Sequence, residues 1–366
     1  LLFSLLLVLG ILPATMAHAT TVLAPDPVYM TQAGSSGVLY VLWARTCSRN
    51  INCFELERSM DGGQTFTALT PPPIHFVRNA TIGNLEDLVF ANSLDGYAVK
   101  RTNGVVTLLY ATFDGARTWH QEVIAPAQAI NTIIASSTAF YAMASFCPTS
   151  GASSCHQVRL ERSAIGSGRW TNQSTVTLGF SHNEGEPSLA AFGPDVWLTL
   201  QEQNKPYHSL LATSYNEGRT FAVRTQPLLT SVSACQLSAT STITLWAQCD
   251  DGMMAGNIVY SSDGGAHWSV NQGESGAFMF GYFDPVTSFY AIYFDGNHLR
   301  RLERLTAATH TAVLVGRTPI QQQFQLAFVN EHQGVALSYQ FGNLNRQALY
   351  ETSDAGQRWR RITLHQ

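Results

Sequence analysis

Ser59-Met60-Asp61-Gly62-Gly63-Gln64-Thr65-Phe66 is one copy of an eight-residue pattern, Ser/Thr-x-Asp-x-Gly-x-Thr-Trp/Phe, and its recurrence decides the fold. A second copy is Thr112-Phe113-Asp114-Gly115-Ala116-Arg117-Thr118-Trp119. A third is Ser214-Tyr215-Asn216-Glu217-Gly218-Arg219-Thr220-Phe221, and two more run from Ser261 to Trp268 and from Thr352 to Trp359. Two decayed copies fill the gaps. Ser163 to Trp170 keeps its ends without the Asp, and Leu305 to Ala312 is marked mainly by Leu302-Glu303-Arg304, which matches Leu56-Glu57-Arg58 and Leu160-Glu161-Arg162. The first positions are 59, 112, 163, 214, 261, 305 and 352, so the spacing stays between 44 (261 to 305) and 53 (59 to 112). Repeats of 20–50 residues are the mark of arrays in which no unit buries its apolar face alone.

Each unit reads as four short strands. In the second, Leu85 to Ala91, Tyr97 to Val99, Val105 to Thr112 and Trp119 to Ile124 are apolar or β-branched and are separated by Gly/Asn/Asp turns. The last repeats this with Phe324–Val329, Gly334–Ser338, Ala348–Thr352 and Trp359–Leu364. Four-stranded antiparallel sheets repeated radially make an all-β propeller, and the expectation is seven blades with the box between strands three and four. The composition agrees: 45% of the 366 residues are hydrophobic and only 13% are charged, against a usual ~25%. Strands buried on both faces need few charges.

The boxes read as staples rather than catalytic groups. The Asp accepts backbone N–H bonds within the turn, Gly permits positive φ, and the aromatic packs between sheets. The residues in this role are Ser59, Asp61, Gly63, Asp114, Trp119, Asn216, Gly218, Asp263, Gly265, Trp268, Asp354, Gly356 and Trp359. A single active site needs different residues brought together, not five copies of one.

These boxes resemble the Asp-box, or bacterial neuraminidase repeat, of the sialidase superfamily. The resemblance implies that the box lies on the face opposite the binding site. The seven-fold count and the pattern Leu88-Val89-Phe90 … Gly96-Tyr97-Ala98-Val99 are closer to propellers of the photosystem II assembly-factor type, and secreted xyloglucanase propellers are similar in blade number. The face opposite the boxes is then expected to carry His182, Glu184, Glu186, Glu202, Lys205, Tyr207 and His208 of the fourth unit, with Asp250, Asp251, Glu274, Tyr282, Tyr339 and Arg346 from others. Aromatic rings and carboxylates together suit a glycan, and loops on a rigid scaffold suit a protein ligand equally.

A sialidase-type exo-glycosidase is the competing reading. It needs a Tyr nucleophile, an assisting Glu and three Arg for the substrate carboxylate. Glu186-Pro187 and Tyr339 fit the first two roles, but no Arg-Ile-Pro motif is present near the first unit, and Gln201-Glu202 stands where the family has an Arg. The expectation is a binding module rather than an enzyme, with no cofactor, no metal and no nucleic-acid partner. A net charge of −4 with scattered basic residues gives no phosphate-binding surface. A monomer is expected.

Leu1 to Leu12 is apolar and is followed by Ala17-His18-Ala19, a small-x-small cleavage pattern. Residues 1–19 are therefore read as a signal peptide truncated at its start, and 20–366 as a single exported propeller with no membrane span. The six Cys suit an oxidising compartment, with expected pairs Cys47–Cys53, Cys147–Cys155 and Cys235–Cys249, all at the end away from the boxes.

Overall fold

The computed structural model describes residues 26–33, 37–48, 51–74, 76–77, 85–102, 105–122, 129–146, 157–177, 188–201, 209–224, 234–250, 256–284, 288–294, 300–306, 312–317, 324–340 and 343–362. Their secondary structure is strand and turn, with no helix among them.

The first sheet holds β1 (Asp26–Ala33), β2 (Val38–Ser48), β3 (Ile51–Ser59) and β4 (Thr67–Leu69), with β5 (Phe76–Val77) also paired to β3. The second holds β6 (Leu85–Phe90), β7 (Gly96–Thr102), β8 (Val105–Thr112) and β9 (His120–Glu122). The third holds β10 (Ala129–Ala135), β11 (Ala139–Phe146), β12 (Gln157–Ala164) and β13 (Trp170–Thr177). The fourth holds β14 (Leu189–Phe192), β15 (Asp195–Gln201), β16 (Ser209–Ser214) and β17 (Ala222–Val223). A seven-stranded sheet follows: β18 (Ala234–Ala239), β19 (Leu245–Asp250), β20 (Gly256–Ser261), β21 (Ser269–Asp284), β22 (Ser288–Phe294), β23 (Arg300–Thr306) and β24 (Ala312–Arg317). The last sheet holds β25 (Phe324–Phe328), β26 (Gly334–Gln340), β27 (Asn343–Thr352) and β28 (Arg360–Ile362). Every pairing is antiparallel between neighbours in sequence, apart from the extra β3–β5 contact. The architecture is a β-propeller of four-stranded antiparallel blades.

The expectation of seven separate blades is corrected to six sheets. The fifth and sixth repeats share the sixteen-residue β21. Its first part pairs with β20 (Tyr260↔Ser269, Val259↔Val270), and its second part pairs with β22 (Ala277↔Phe294, Phe278↔Tyr293). A register shift between Gly256↔Gly276 and Ile258↔Asn271 sets residues 272–275 opposite Asn257 alone. No proline or Asn-Gly turn interrupts 269–284, so the chain stays extended from one repeat into the next.

Adjacent residues of the second strands face opposite seams. In β7, Tyr97 and Val99 pack against Phe140, Ala142 and Ala144 of the third sheet, while Ala98 packs towards Tyr40 and Leu42 of the first. In β15, Val196 and Leu198 face Tyr141 and Met143, and Trp197 faces Leu245 and Ala247. Both faces of each such strand are buried, which turns an alternating pattern into an apolar run. The low charge content has this cause.

The ring closes between the first and last sheets. Met30, Leu39, Val41 and Trp43 form one buried cluster with Ala327, Val335, Leu337 and Leu349. The Met30 N–H donates to Gln325 Oε1 at 2.6 Å, across 295 residues of sequence. Among the described residues the first and last sheets exchange no strand, and packing and this hydrogen bond hold them together.

Candidate functional site

The best-described chemistry lies in the repeated turns. In the first, Ser59 Oγ donates to Asp61 Oδ1 (2.8 Å) and accepts from Gly63 N–H (2.7 Å). Asp61 Oδ1 also accepts from the Gln64 and Thr65 amides, and Oδ2 accepts from Thr65 Oγ1 (2.5 Å). Thr112, Asp114, Ala116, Arg117 and Thr118 repeat the set. Asn216 substitutes its amide: Oδ1 accepts from Ser214 Oγ and Thr220 N–H, and Nδ2 donates to Thr220 Oγ1. Two boxes exchange the Thr for a longer side chain whose nitrogen meets the carboxylate. His267 Nδ1 lies 2.6 Å from Asp263 Oδ2, and Arg358 Nε donates to Asp354 Oδ2 at 2.7 Å.

Two consecutive residues of each of these turns have positive φ. They are Gly62 and Gly63, Gly115 and Ala116, Glu217 and Gly218, Gly264 and Gly265, and Ala355 and Gly356. The second of each pair faces the preceding sheet: a Cβ at Gly63 would meet Val335, at Gly218 Leu160, at Gly265 Leu211 and at Gly356 Leu302. The terminal aromatics follow the same rule. Phe66, Trp119, Trp170, Phe221, Trp268 and Trp359 each pack against the cluster shared with the preceding sheet.

The turn between the first two strands of a sheet lies beside the box of that sheet. Gly115 N–H donates to Leu94 O, Glu217 to Pro194 O, Gly264 to Ile243 O and Ala355 to His332 O, at 2.8–2.9 Å. Boxes and first-to-second turns therefore share one face. The second-to-third connections lie at the other ends of the strands.

Seam contacts also involve the repeated Leu-Glu-Arg triplets. The Arg of each Leu-Glu-Arg triplet reaches the next sheet: Arg58 Nη1 donates to Ser93 O (3.3 Å), Arg162 Nη2 pairs with Glu217 Oε1 (2.8 Å), and Arg304 Nη1 lies 3.9 Å from Glu331 Oε2. Tyr40 Oη donates to Ser93 O and Trp197 Nε1 to Gly264 O. Tyr97 Oη meets Ser163 Oγ at 3.2 Å, and burial pushes this phenol up to about 12, against the opposing effect of that bond.

The decayed third box shows what replaces the Asp. Ser163 Oγ meets Ser167 Oγ, and the fourth strand β13 runs for eight residues. β24 of the sixth repeat has six, whereas β4, β9, β17 and β28 have two or three. The third and sixth repeats, which have neither Asp nor Asn at that position, carry these longer outer strands, whereas the Asn216 turn is followed by the two-residue β17. The middle of the sixth box, residues 307–311, lies outside the described residues.

Burial raises the box carboxylates, but hydrogen bonds outweigh it. The Thr118 side chain and amide, the Thr112 hydroxyl and the Arg117 amide hold Asp114 at about 2. The His267 amide and ring and the Ser261 hydroxyl hold Asp263 at about 2. Asp61 and Asp354 are lowered in the same way, by Thr65, Ser59 and Gln64 and by Arg358 and Thr352. A native carboxyl below its unfolded value, about 3.9, stabilises above that value, and the gain disappears as pH falls through the native one. Stability is expected to fall between about pH 4 and pH 2, measured as the thermal midpoint across that range. Asp114→Asn should flatten the loss, because the amide in the fourth box already holds its turn without a charge.

Asp61→Ala is expected to lower stability by about 1–2 kcal/mol, through turn donors left to water. An unchanged urea midpoint would remove the stapling role from this residue.

The candidate ligand residues stand differently. His182, Glu184, Glu186, Glu202, Lys205, Tyr207, His208 and Asp251 lie outside the described residues, as do Cys147 and Cys155. For Glu274, Tyr282, Asp250, Tyr339 and Arg346 the backbone is described. Asp250 ends β19 opposite Gly256; Tyr339 and Arg346 belong to the β26–β27 hairpin, near its Gln340↔Asn343 end. Those three positions are at the strand ends away from the boxes. Cys235 and Cys249 are bonded across β18–β19 at that same end, and Cys53 is disulfide-bonded. Among the described residues no group of three His, Cys, Asp or Glu could hold a metal, and no helix is long and apolar enough to cross a membrane.

The sequence matches no family profile and no curated protein. Solved structures do resemble the fold. A structure of YCF48 bound to D1 peptide is 14% identical with a TM-score of 0.50, covering 93% of this chain and 94% of that one. A puromycin-hydrolyzing peptidase of Mycobacterium tuberculosis is 13% identical with a TM-score of 0.59, covering 93% of this chain and 53% of that one. A prolyl endopeptidase is 10% identical with a TM-score of 0.56, covering 93% and 50%. The chain thus spans about half the length of the two peptidases. At these identities the likeness concerns the fold.

Proposed function

We propose that this chain is an exported Asp-box propeller that binds a protein segment, with a glycan as the second ligand class, through the face opposite its boxes. One observation carries the reading. All four described box carboxylates, Asp61, Asp114, Asp263 and Asp354, are engaged within their own turns, on the face shared with the first-to-second turns. A carboxylate saturated by hydrogen bonds and held low is a poor proton donor or nucleophile, so the box face acts as scaffold. Recognition falls to the second-to-third connections, which include 202–208 and 251–255, and to the strand ends bearing Asp250, Tyr339 and Arg346. The likeness to YCF48 bound to D1 peptide favours a peptide ligand. In this reading residues 1–19 direct export, and Cys47–Cys53 and Cys147–Cys155 brace the recognition loops alongside Cys235–Cys249.

The test is selection of a random-peptide library on the purified protein, beside assay of a fluorogenic sialoside. Enrichment of a peptide family whose binding is lost in Arg346→Glu is the expected result. Sialoside turnover abolished by Glu186→Gln would replace the binding reading with hydrolysis.

A further inference from the structure

We propose that Asn172 carries an asparagine-linked oligosaccharide, attached as the chain enters a secretory pathway; this rests on the export reading given above. Asn172-Gln173-Ser174 has the Asn-x-Ser/Thr pattern of a glycan acceptor. Two structural observations join the pattern. Asn172 lies on β13, the outermost strand of the third sheet, and is exposed. Ser174 Oγ, by contrast, is buried and has no hydrogen-bond partner among the described residues. Residues two apart on a regular strand share a face. Here a register shift between Leu160↔Ser174 and Glu161↔Asn172 leaves Gln173 as an extra residue and separates the two environments.

A buried hydroxyl without a partner costs stability, and the fold does not need this one. β24 has the same register shift, with Gly316 opposite Leu302 where Ser174 is opposite Leu160. The role left for a hydroxyl two residues after the asparagine is recognition of the acceptor in the unfolded chain. Transfer forms a bond from Asn172 Nδ2 to the anomeric carbon of a sugar. It breaks that carbon's bond to the phosphate oxygen of a lipid-linked pyrophosphate donor, and one amide proton leaves with the departing phosphate. Folding then places the glycan on the outer edge of the third sheet. Trp170–Thr177 has no charged residue and no proline, two of the devices that keep an exposed edge from pairing with other chains. A bulky, solubilising glycan serves that end.

The test is expression of the full chain in eukaryotic secretory cells behind a supplied leader, so that a failure of residues 1–19 to direct export does not bear on the outcome. The same chain without that leader tests export separately. Asparagine-linked glycans are released enzymatically in heavy-oxygen water, and peptide mass spectrometry of the secreted protein is expected to find Asn172 deamidated with the heavy label in most molecules. Ser174→Thr should keep the modification, and Ser174→Ala and Asn172→Gln should abolish it. In protein made without glycan, Ser174→Ala should leave the thermal midpoint unchanged or raise it. Secreted protein with Asn172 unmodified overturns the proposal. So does a lower midpoint in Ser174→Ala, which would put the hydroxyl in the service of the fold.

Discussion

Gly265→Val is expected to destabilise the fold by about 3–5 kcal/mol. Two costs add. Gly265 has φ +89°, a conformation in which a β-branched residue is a steric outlier. Its missing Cβ faces Leu211 of the fourth sheet, with Leu245 Cδ1 only 3.2 Å from where that carbon would sit. Trp197, which donates its Nε1 to Gly264 O, anchors the same seam, so the turn has little room to retreat. Gly265→Ala should cost less, about 1–2 kcal/mol. Ala116 occupies the equivalent position of the second box at φ +64° and is fully buried, which shows that one methyl group can be housed when the seam is built around it. Urea unfolding of the two variants measures both costs. A Val variant as stable as the parent would mean that the glycine does not set the distance between sheets.

Removing the Cys235–Cys249 bond in a C235A/C249A variant is expected to lower stability by about 3 kcal/mol, the usual effect of freeing a loop of this length. The two residues are direct partners in the β18–β19 register and are separated by 14 residues in sequence. Both side chains lie in the cluster with Leu211, Trp197 and Val259, so the variant also loses packing between the fourth and the seven-stranded sheets. The measurement is the thermal midpoint of parent and variant under oxidising conditions, and equal midpoints would show that the bond adds nothing to the fold.

The repeat was legible because its chemistry is local. Each box closes on itself within eight residues, and the strand ends expected in the second unit, at Leu85, Val105 and Thr112, are the observed ones. The shared β21 was not legible, because whether an extended chain continues or turns between repeats depends on neighbours distant in sequence. The same holds for the arginine latches. Arg58, Arg162 and Arg304 were visible as a repeated triplet, but their partners Ser93, Glu217 and Glu331 belong to the following sheet. Gln325, whose side chain meets the first sheet's backbone, carries no local signal of that role. Asp250, Tyr339 and Arg346 could be placed at one end of their sheets by strand order alone. Which ligand groups they would recognise depends on how loops from several repeats converge, and spacing does not encode that.

In the proposed function, ligands bind on the face opposite the boxes. Hydrogen–deuterium exchange of the protein with and without a library-selected peptide tests it most directly. Protection is expected in 202–208, 251–255 and around Arg346, with the amides of Gly63, Ala116, Gly218, Gly265 and Gly356 unchanged. Protection confined to the box turns and to the first-to-second turns would contradict the account.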